Sequence, residues 1–300
     1  MRLLTKYEVN IMIYNYPRFP NGKTKAVTLS YDDGTIHDVR FTETLNKYGM
    51  KCTFNLVGSR VAKGEGLSKE FIKENIIAKG HEIANHGYNH RAQDAVRPIE
   101  AIRDILDSRL TLEKEFGMII RGMAFPDRSV NRFVKPDIYK EVKSRLVDLD
   151  IVYSRCAGGE DDKFKLPDDW HNWETTAHHK NPRLMEYIDK FLDFDVDSQY
   201  ISARIPRLFF VWGHSFEFER DDNWDLIEKF CSMMSHKEDV WYATNIEIVD
   251  YIKALENLKF SADCSMVYNP SAITLWISVD EQPVIIEPNK ITELNHKVIY

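Results

Sequence analysis

Two acids side by side, Asp32-Asp33, followed by Gly34, close the apolar stretch "KAVTLSYDDG". Adjacent carboxylates repel each other, and neither belongs in a core. Taken alone, the stretch reads as a strand-to-loop turn, because Asp and Gly are ordinary turn residues. A second group changes the weighing. "NHGYNH" carries His86 and His90 four residues apart, a spacing that can aim two imidazoles at one point. Two neutral imidazoles and one carboxylate make a three-ligand hydrolytic metal site with a position left open for water. One acid would bind a divalent cation, whose charge offsets the repulsion between the pair. The other would stay beside the water as general base. Successive side chains at a strand end point in different directions, so only one of the two acids is expected to face the histidines.

The elements that must carry these residues follow from periodicity. "KAVTLSY" reads as a buried strand, and "IHDVRFTETLNKYGM" as a helix stopped by Gly49. "KCTFNLVG" is a second strand, and "SKEFIKENIIAKG" a second helix with Ser68 as N-cap and Gly80 beyond its end. "HEIANHG" is a third strand, "RPIEAIRDILDSRLTLEKEFG" a long amphipathic helix and "IRGMAFP" a fourth strand. Strand and helix in alternation imply parallel strands with crossover helices, an α/β sheet or barrel. Chemistry in such folds collects at the C-terminal ends of strands. There stand Asp32-Asp33-Gly34, His86 and Pro126-Asp127.

Past residue 140 the alternation loosens. "LVDLDIVYSR" reads as a strand, "FKLPDDWHNWETTAHH" as a long irregular segment, and "PRLFFVWGH" as a strand ending in His214. From about Phe260 the chain turns to short β-like runs broken by Asn269-Pro270 and Pro288-Asn289. The expected organisation is residues 1–259 as the barrel and 260–300 as a small antiparallel β appendage packed on it.

A net charge of −7 without long runs of one sign argues against nucleic acid or an anionic membrane as partner. Four dispersed cysteines make neither a zinc ribbon nor a disulfide framework. The first residues, "MRLLTKYEVNIMIYNYP", read as neither a signal peptide nor a membrane anchor, which leads to the expectation of a cytoplasmic protein, or a secreted one had a leader been removed. Oligomeric state is not legible.

The residues resemble the polysaccharide deacetylase (NodB-homology) family of carbohydrate esterases. "SYDDG" stands for its TFDDG motif and "HGYNH" for its H-S/T-x-x-H motif. "AFPD" lies near its R-x-P-Y position, "PDDWHNW" near its Asp-Trp motif and "FFVWGH" near its final Leu-x-His motif. The resemblance covers roughly residues 24 to 256. It implies a distorted (β/α) barrel, one divalent metal, expected to be zinc, and hydrolysis of N- or O-acetyl groups from an acetylated carbohydrate. Carried over, Asp33, His86 and His90 would hold the metal, Asp32 would be the general base and His214 the general acid. Pro126 and Asp127 would contact substrate, the latter through its backbone N–H. Trp170 and Trp173 would form a sugar-stacking wall. The family's motif arginine is absent, with Ala124 in its place, and Arg121 and Arg128 are offset from it. That leaves open the partner that orients Asp32, for which the pair His178-His179 is a candidate, and His178 is an expected substrate contact. A hydrolase of a small non-sugar amide and a carbohydrate-binding protein without turnover are the alternatives.

Overall fold

In the computed structural model, which describes residues 15–127, 138–200 and 203–294, the chain forms two compact units. One comprises Lys25–Asp195 with Pro206–Asp250; the other is drawn from Met1–Thr24, Val196–Ile205 and Tyr251–Tyr300. Strand β1 (Asn15–Arg18) belongs to the second unit, and the first opens with β2 (Lys25–Asp33), buried along its whole length. Then come α1 (Asp38–Tyr48), β3 (Cys52–Leu56), α2 (Gly58–Lys63) and α3 (Lys69–Phe71), which runs on through π and 3-10 turns to Lys79. Next are β4 (Glu82–Asn85), α4 (Pro98–Phe116), β5 (Gly122–Ala124), α5 (Ile138–Asp148) and β6 (Tyr153–Arg155). The unit is completed by β7 (Ala177–His178), α6 (Leu184–Asp193), β8 (Arg207–Gly213), α7 (Phe216–Arg220), α8 (Trp224–Met234) and β9 (Val240–Tyr242), and α9 (Asn245–Glu256) follows.

The strands pair in parallel in the order β6-β5-β4-β3-β2-β8-β7, with β9 beside the first residues of β2. The irregular segment between β6 and β8 curls this sheet shut. Trp173 bridges Arg155 on one side, and Ala177 pairs with Val211 on the other. The result is the expected distorted (β/α) barrel. Helices bury one face each against it: Phe41 and Leu45, four residues apart on α1, are fully buried. The Phe41 ring lies 4.0 Å from that of Tyr31. Burying such a side chain contributes about 1.5–3 kcal/mol.

The predicted helix stops hold. Gly49 caps α1 at φ +66°, a left-handed conformation that glycine adopts without strain. Ser68 accepts from the Phe71 amide at 3.1 Å, as an N-cap does. One expected strand is shorter than its sequence suggests. Residues 146–148 of the supposed strand "LVDLDIVYSR" finish α5, where Val142 and Leu146 are buried at helical spacing, and only Tyr153–Arg155 is strand.

In the second unit, β10 (Lys259–Phe260), β11 (Met266–Tyr268) and β14 (Ile291–Glu293) form one antiparallel sheet. β12 (Leu275–Val279) and β13 (Gln282–Ile286) form another, whose third strand is β1 from the other end of the chain. Among the described residues no helix is long and apolar enough to cross a membrane.

Candidate active site

The C-terminal ends of β2, β3, β4, β6 and β8 converge on Asp32 and Asp33. Asp32 is 2% exposed. Its partner in the parallel register, Asn55 on β3, donates to Oδ1 at 2.8 Å. Arg155, at the end of β6, donates to Oδ2. The Nε2 atoms of His86 and His214 stand 3.8 and 3.9 Å from that same oxygen. Burial alone would raise the Asp32 carboxyl. The Arg155 guanidinium, then His86 and His214, outweigh it and hold Asp32 below the usual carboxylate range.

Asp33 departs from strand geometry. Its φ of +83° is costly for a residue with a Cβ and breaks the alternation of the strand. Both acids therefore reach the imidazoles, which corrects the expectation that only one could. Asp33 Oδ1 lies 3.4 Å from His90 Nε2, is buried, and has no hydrogen-bond partner. His86 Nδ1 donates to the Ala124 carbonyl at 2.8 Å, which fixes the tautomer and leaves Nε2 with a free lone pair. Burial holds the His86 imidazole below its ordinary value, hence neutral, as ligation requires. One donor atom each from Asp33, His86 and His90 lies within 4.8 Å of the others. The orphaned carboxylate oxygen and the fixed tautomer make this trio fit a divalent cation.

The loop that carries both histidines is held by a residue that the motifs do not include. Asp104 on α4 accepts from the Tyr88 and Asn89 amides and from the Asn89 side chain at 2.9–3.1 Å. Its signal is present in the sequence: an acid among Ala101, Ile105, Ser108 and Leu112 on the buried face of an amphipathic helix.

A second cluster has the same donor types but different chemistry. Glu217 Oε2 lies 3.0 Å from His178 Nε2, 3.3 Å from His214 Nδ1 and 3.5 Å from His179 Nε2. The Lys180 amide donates to His178 Nδ1 at 3.2 Å, so the His178 proton sits on Nε2 and points at Glu217. A metal would need that nitrogen's lone pair, so with this tautomer the cluster is a hydrogen-bonded set around Glu217. Burial lowers His214, but the Glu217 hydrogen bond and Asp32 overcome it, and the imidazole stays raised above its ordinary value. His179 is pushed down to about 3 by burial and His178, and shares a 3.2 Å bond with the Tyr31 hydroxyl.

The guanidinium that pairs with Asp32 is that of Arg155. Arg155 is the register partner of Ala124 on the next strand and points to the same side of the sheet. Its guanidinium is fully buried, 4.5 Å from the Trp212 ring centre, and pairs with Asp32. His178 points at Glu217 instead, and His179 is bonded to the Tyr31 hydroxyl. Arg121 is bound to Asp250 at 2.8 and 2.9 Å, and Arg128 lies outside the described residues. Trp173 is 1% exposed and packed on Tyr153, Trp170 and Phe210, so it cannot stack on a sugar, a correction to the expected wall. Trp170 is half-buried. Pro126 packs near Gly87, and Asp127 follows it, exposed, at φ +56°.

Comparison with known proteins bears on the family and the fold. Residues 20–144 match the polysaccharide deacetylase family. Peptidoglycan-N-acetylglucosamine deacetylase PgdA of Listeria monocytogenes is 28% identical over 145 residues, 47% of this chain and 30% of its own length. The peptidoglycan-N-acetylglucosamine deacetylase of Bacillus cereus is 32% identical over 97 residues, 32% of this chain and 43% of its own length. The chain thus covers less than half of either relative. A solved Mycobacterium smegmatis structure classed with polysaccharide deacetylases covers 80% of this chain and 94% of its own, with TM-score 0.56 and 17% identity, a likeness of fold alone. The family resemblance read from the motifs is borne out. The cytoplasmic expectation is overturned, because these relatives are named for peptidoglycan, a cell-wall polymer that lies outside the cytoplasm.

Proposed function

Because residues 20–144 carry the sequence of the polysaccharide deacetylase family, we propose that this protein is a metal-dependent hydrolase that removes N- or O-acetyl groups from a carbohydrate. Asp33, His86 and His90 would hold one divalent ion, expected to be zinc from two nitrogens and one oxygen. When bound, such an ion supplies Lewis acidity toward the acetyl carbonyl and the attacking water. Asp32, kept ionised by Arg155 and oriented by Asn55, accepts the proton that water loses on attack. His214 anchors Nδ1 on Glu217 and turns Nε2 toward Asp32, where it can give a proton to the departing amine or alcohol. Acetate and the deacetylated sugar are the products. The Asp127 backbone N–H is the candidate donor to the developing oxyanion. The observation that carries the reading is the buried Asp33 oxygen, without a hydrogen-bond partner, facing His90 beside an arginine-held Asp32.

The test separates the two acids. Asp32→Asn should keep zinc while acetate release from acetylated oligosaccharides falls roughly 10²–10⁴-fold, the usual worth of a general base. Asp33→Asn should lower zinc content itself, as read by elemental analysis. If Asp32→Asn lost the metal and Asp33→Asn kept it, the roles are swapped. Turnover of simple amides but not of sugars would identify a small-amide hydrolase. Sugar binding without any turnover would identify a binding protein.

A further inference from the structure

Next to Asp33 a cleft of about 390 Å³ opens, lined by Gly34, Thr35, Ile36, Arg60, Glu65 and Gly66. Two of its lining glycines pack backbone against backbone. Leu67 N donates to Gly34 O at 3.2 Å, and a Cβ on Gly66 would stand 2.2 Å from that oxygen. Ile36, 61% exposed, gives the cleft an apolar wall. Arg60, on α2, is the one basic residue among the described residues that line it. Nη1 of Arg60 donates to the Asp33 carbonyl at 3.3 Å and stands 3.6 Å from Asp33 Oδ1. More than a third of the side chain is exposed. Glu65, the acid of the cleft, has Lys63 at 3.9 Å as its ion-pair partner.

The Asp33 oxygen nearest Arg60 is the one a metal would use. With that oxygen engaged by an ion, the guanidinium retains the backbone carbonyl and has most of its five donors left for something else. A planar fork of donors on the wall of an open cleft suits a carboxylate or phosphate, which it can grip through two parallel bonds. An apolar wall and a volume of about 390 Å³ leave room for a sugar ring to bring such a group in.

We infer that this cleft is a subsite for an acidic substituent of the acetylated carbohydrate, a carboxylate or a phosphate, bound by Arg60. The inference rests on the carbohydrate reading given above and narrows its substrate class.

The experiment compares matched acetylated oligosaccharides on the zinc-loaded protein: one neutral, one bearing a hexuronic acid carboxylate, one bearing a phosphate ester. Equilibrium binding by calorimetry and kcat/KM are both measured, for the natural protein and for Arg60→Gln and Arg60→Lys. The acidic-to-neutral ratio should be about tenfold or more in the natural protein, the size of one charge-assisted contact. It should fall to near one in Arg60→Gln and keep part of its value in Arg60→Lys. The larger ratio tells which of the two anions the site takes. Because the ratio is taken within one protein at saturating zinc, a general effect of Arg60 on Asp33 or on metal affinity cancels. A ratio near one in the natural protein, or one that Arg60→Gln leaves unchanged, overturns the inference while leaving deacetylation intact. If none of the three is deacetylated, the carbohydrate reading fails, and the binding ratios still decide whether the cleft selects an acidic group.

Discussion

Replacing Arg155 by Met leaves a side chain of similar reach over Trp212 but removes the charge that faces Asp32. In the native protein the two side chains are 1% and 3% exposed, so neither charge has water to fall back on. Removing one partner of such a buried pair typically costs about 3–5 kcal/mol, because the survivor is left uncompensated. Asn55 still donates to Asp32, but a neutral amide does not replace the guanidinium. The sign with pH follows. With Arg155 present, Asp32 lies below its ordinary pKa, and the stability this provides is present at neutral pH and lost as pH falls through the folded value. Without Arg155, burial dominates and the carboxyl rises above its ordinary value, so the penalty is full at pH 8 and fades toward pH 4 as Asp32 takes up a proton. Urea unfolding of chelator-treated Arg155→Met, Asp32→Asn and the double variant at both pH values measures this. The double variant should recover most of the loss, a coupling of about 2 kcal/mol or more. A loss below about 1 kcal/mol at pH 8, or one that does not shrink toward pH 4, would refute the reasoning.

Glu82, buried at the start of β4, accepts from Thr53, Tyr153 and the Ile246 amide, and burial pushes its pKa up to about 7. Its contribution to stability is full below the unfolded value of about 4.5 and is lost as pH rises through 7. The native protein should therefore lose on the order of 3 kcal/mol from this group between pH 4.5 and 8. Urea unfolding of Glu82→Gln should show a flatter pH dependence over that window, and an unchanged slope would count against the assignment. Residues 260–300 expressed alone should give no cooperative unfolding transition, since β12 lacks its β1 partner and small isolated sheets are marginal. A sharp calorimetric transition in that fragment would show that β1 is dispensable.

Much of this protein is written in local signals. Apolar periodicity reveals the alternating strands and helices, and Gly49 and Ser68 mark real helix ends. The Asp-Asp-Gly and His-x-x-x-His spacings are short-range properties that survive folding, so they are legible in residue order. Other features depend on register. Arg155 meets Asp32 because parallel pairing sets β6 beside β5 with Arg155 opposite Ala124, and no spacing in the chain encodes that match. Glu217 gathers His178, His179 and His214 only because β7 and β8 pair and α7 follows at once. The aromatic character of "PDDWHNW" suggested a binding wall, yet whether Trp173 faces solvent or the barrel was decided by the bridge to Arg155 that closes the sheet. The left-handed turn at Asp33, which brings both acids to the histidines, is likewise invisible in residue order. Local chemistry is carried by neighbours in sequence. The partners that hold a buried charge come from whichever strands the packing sets alongside it.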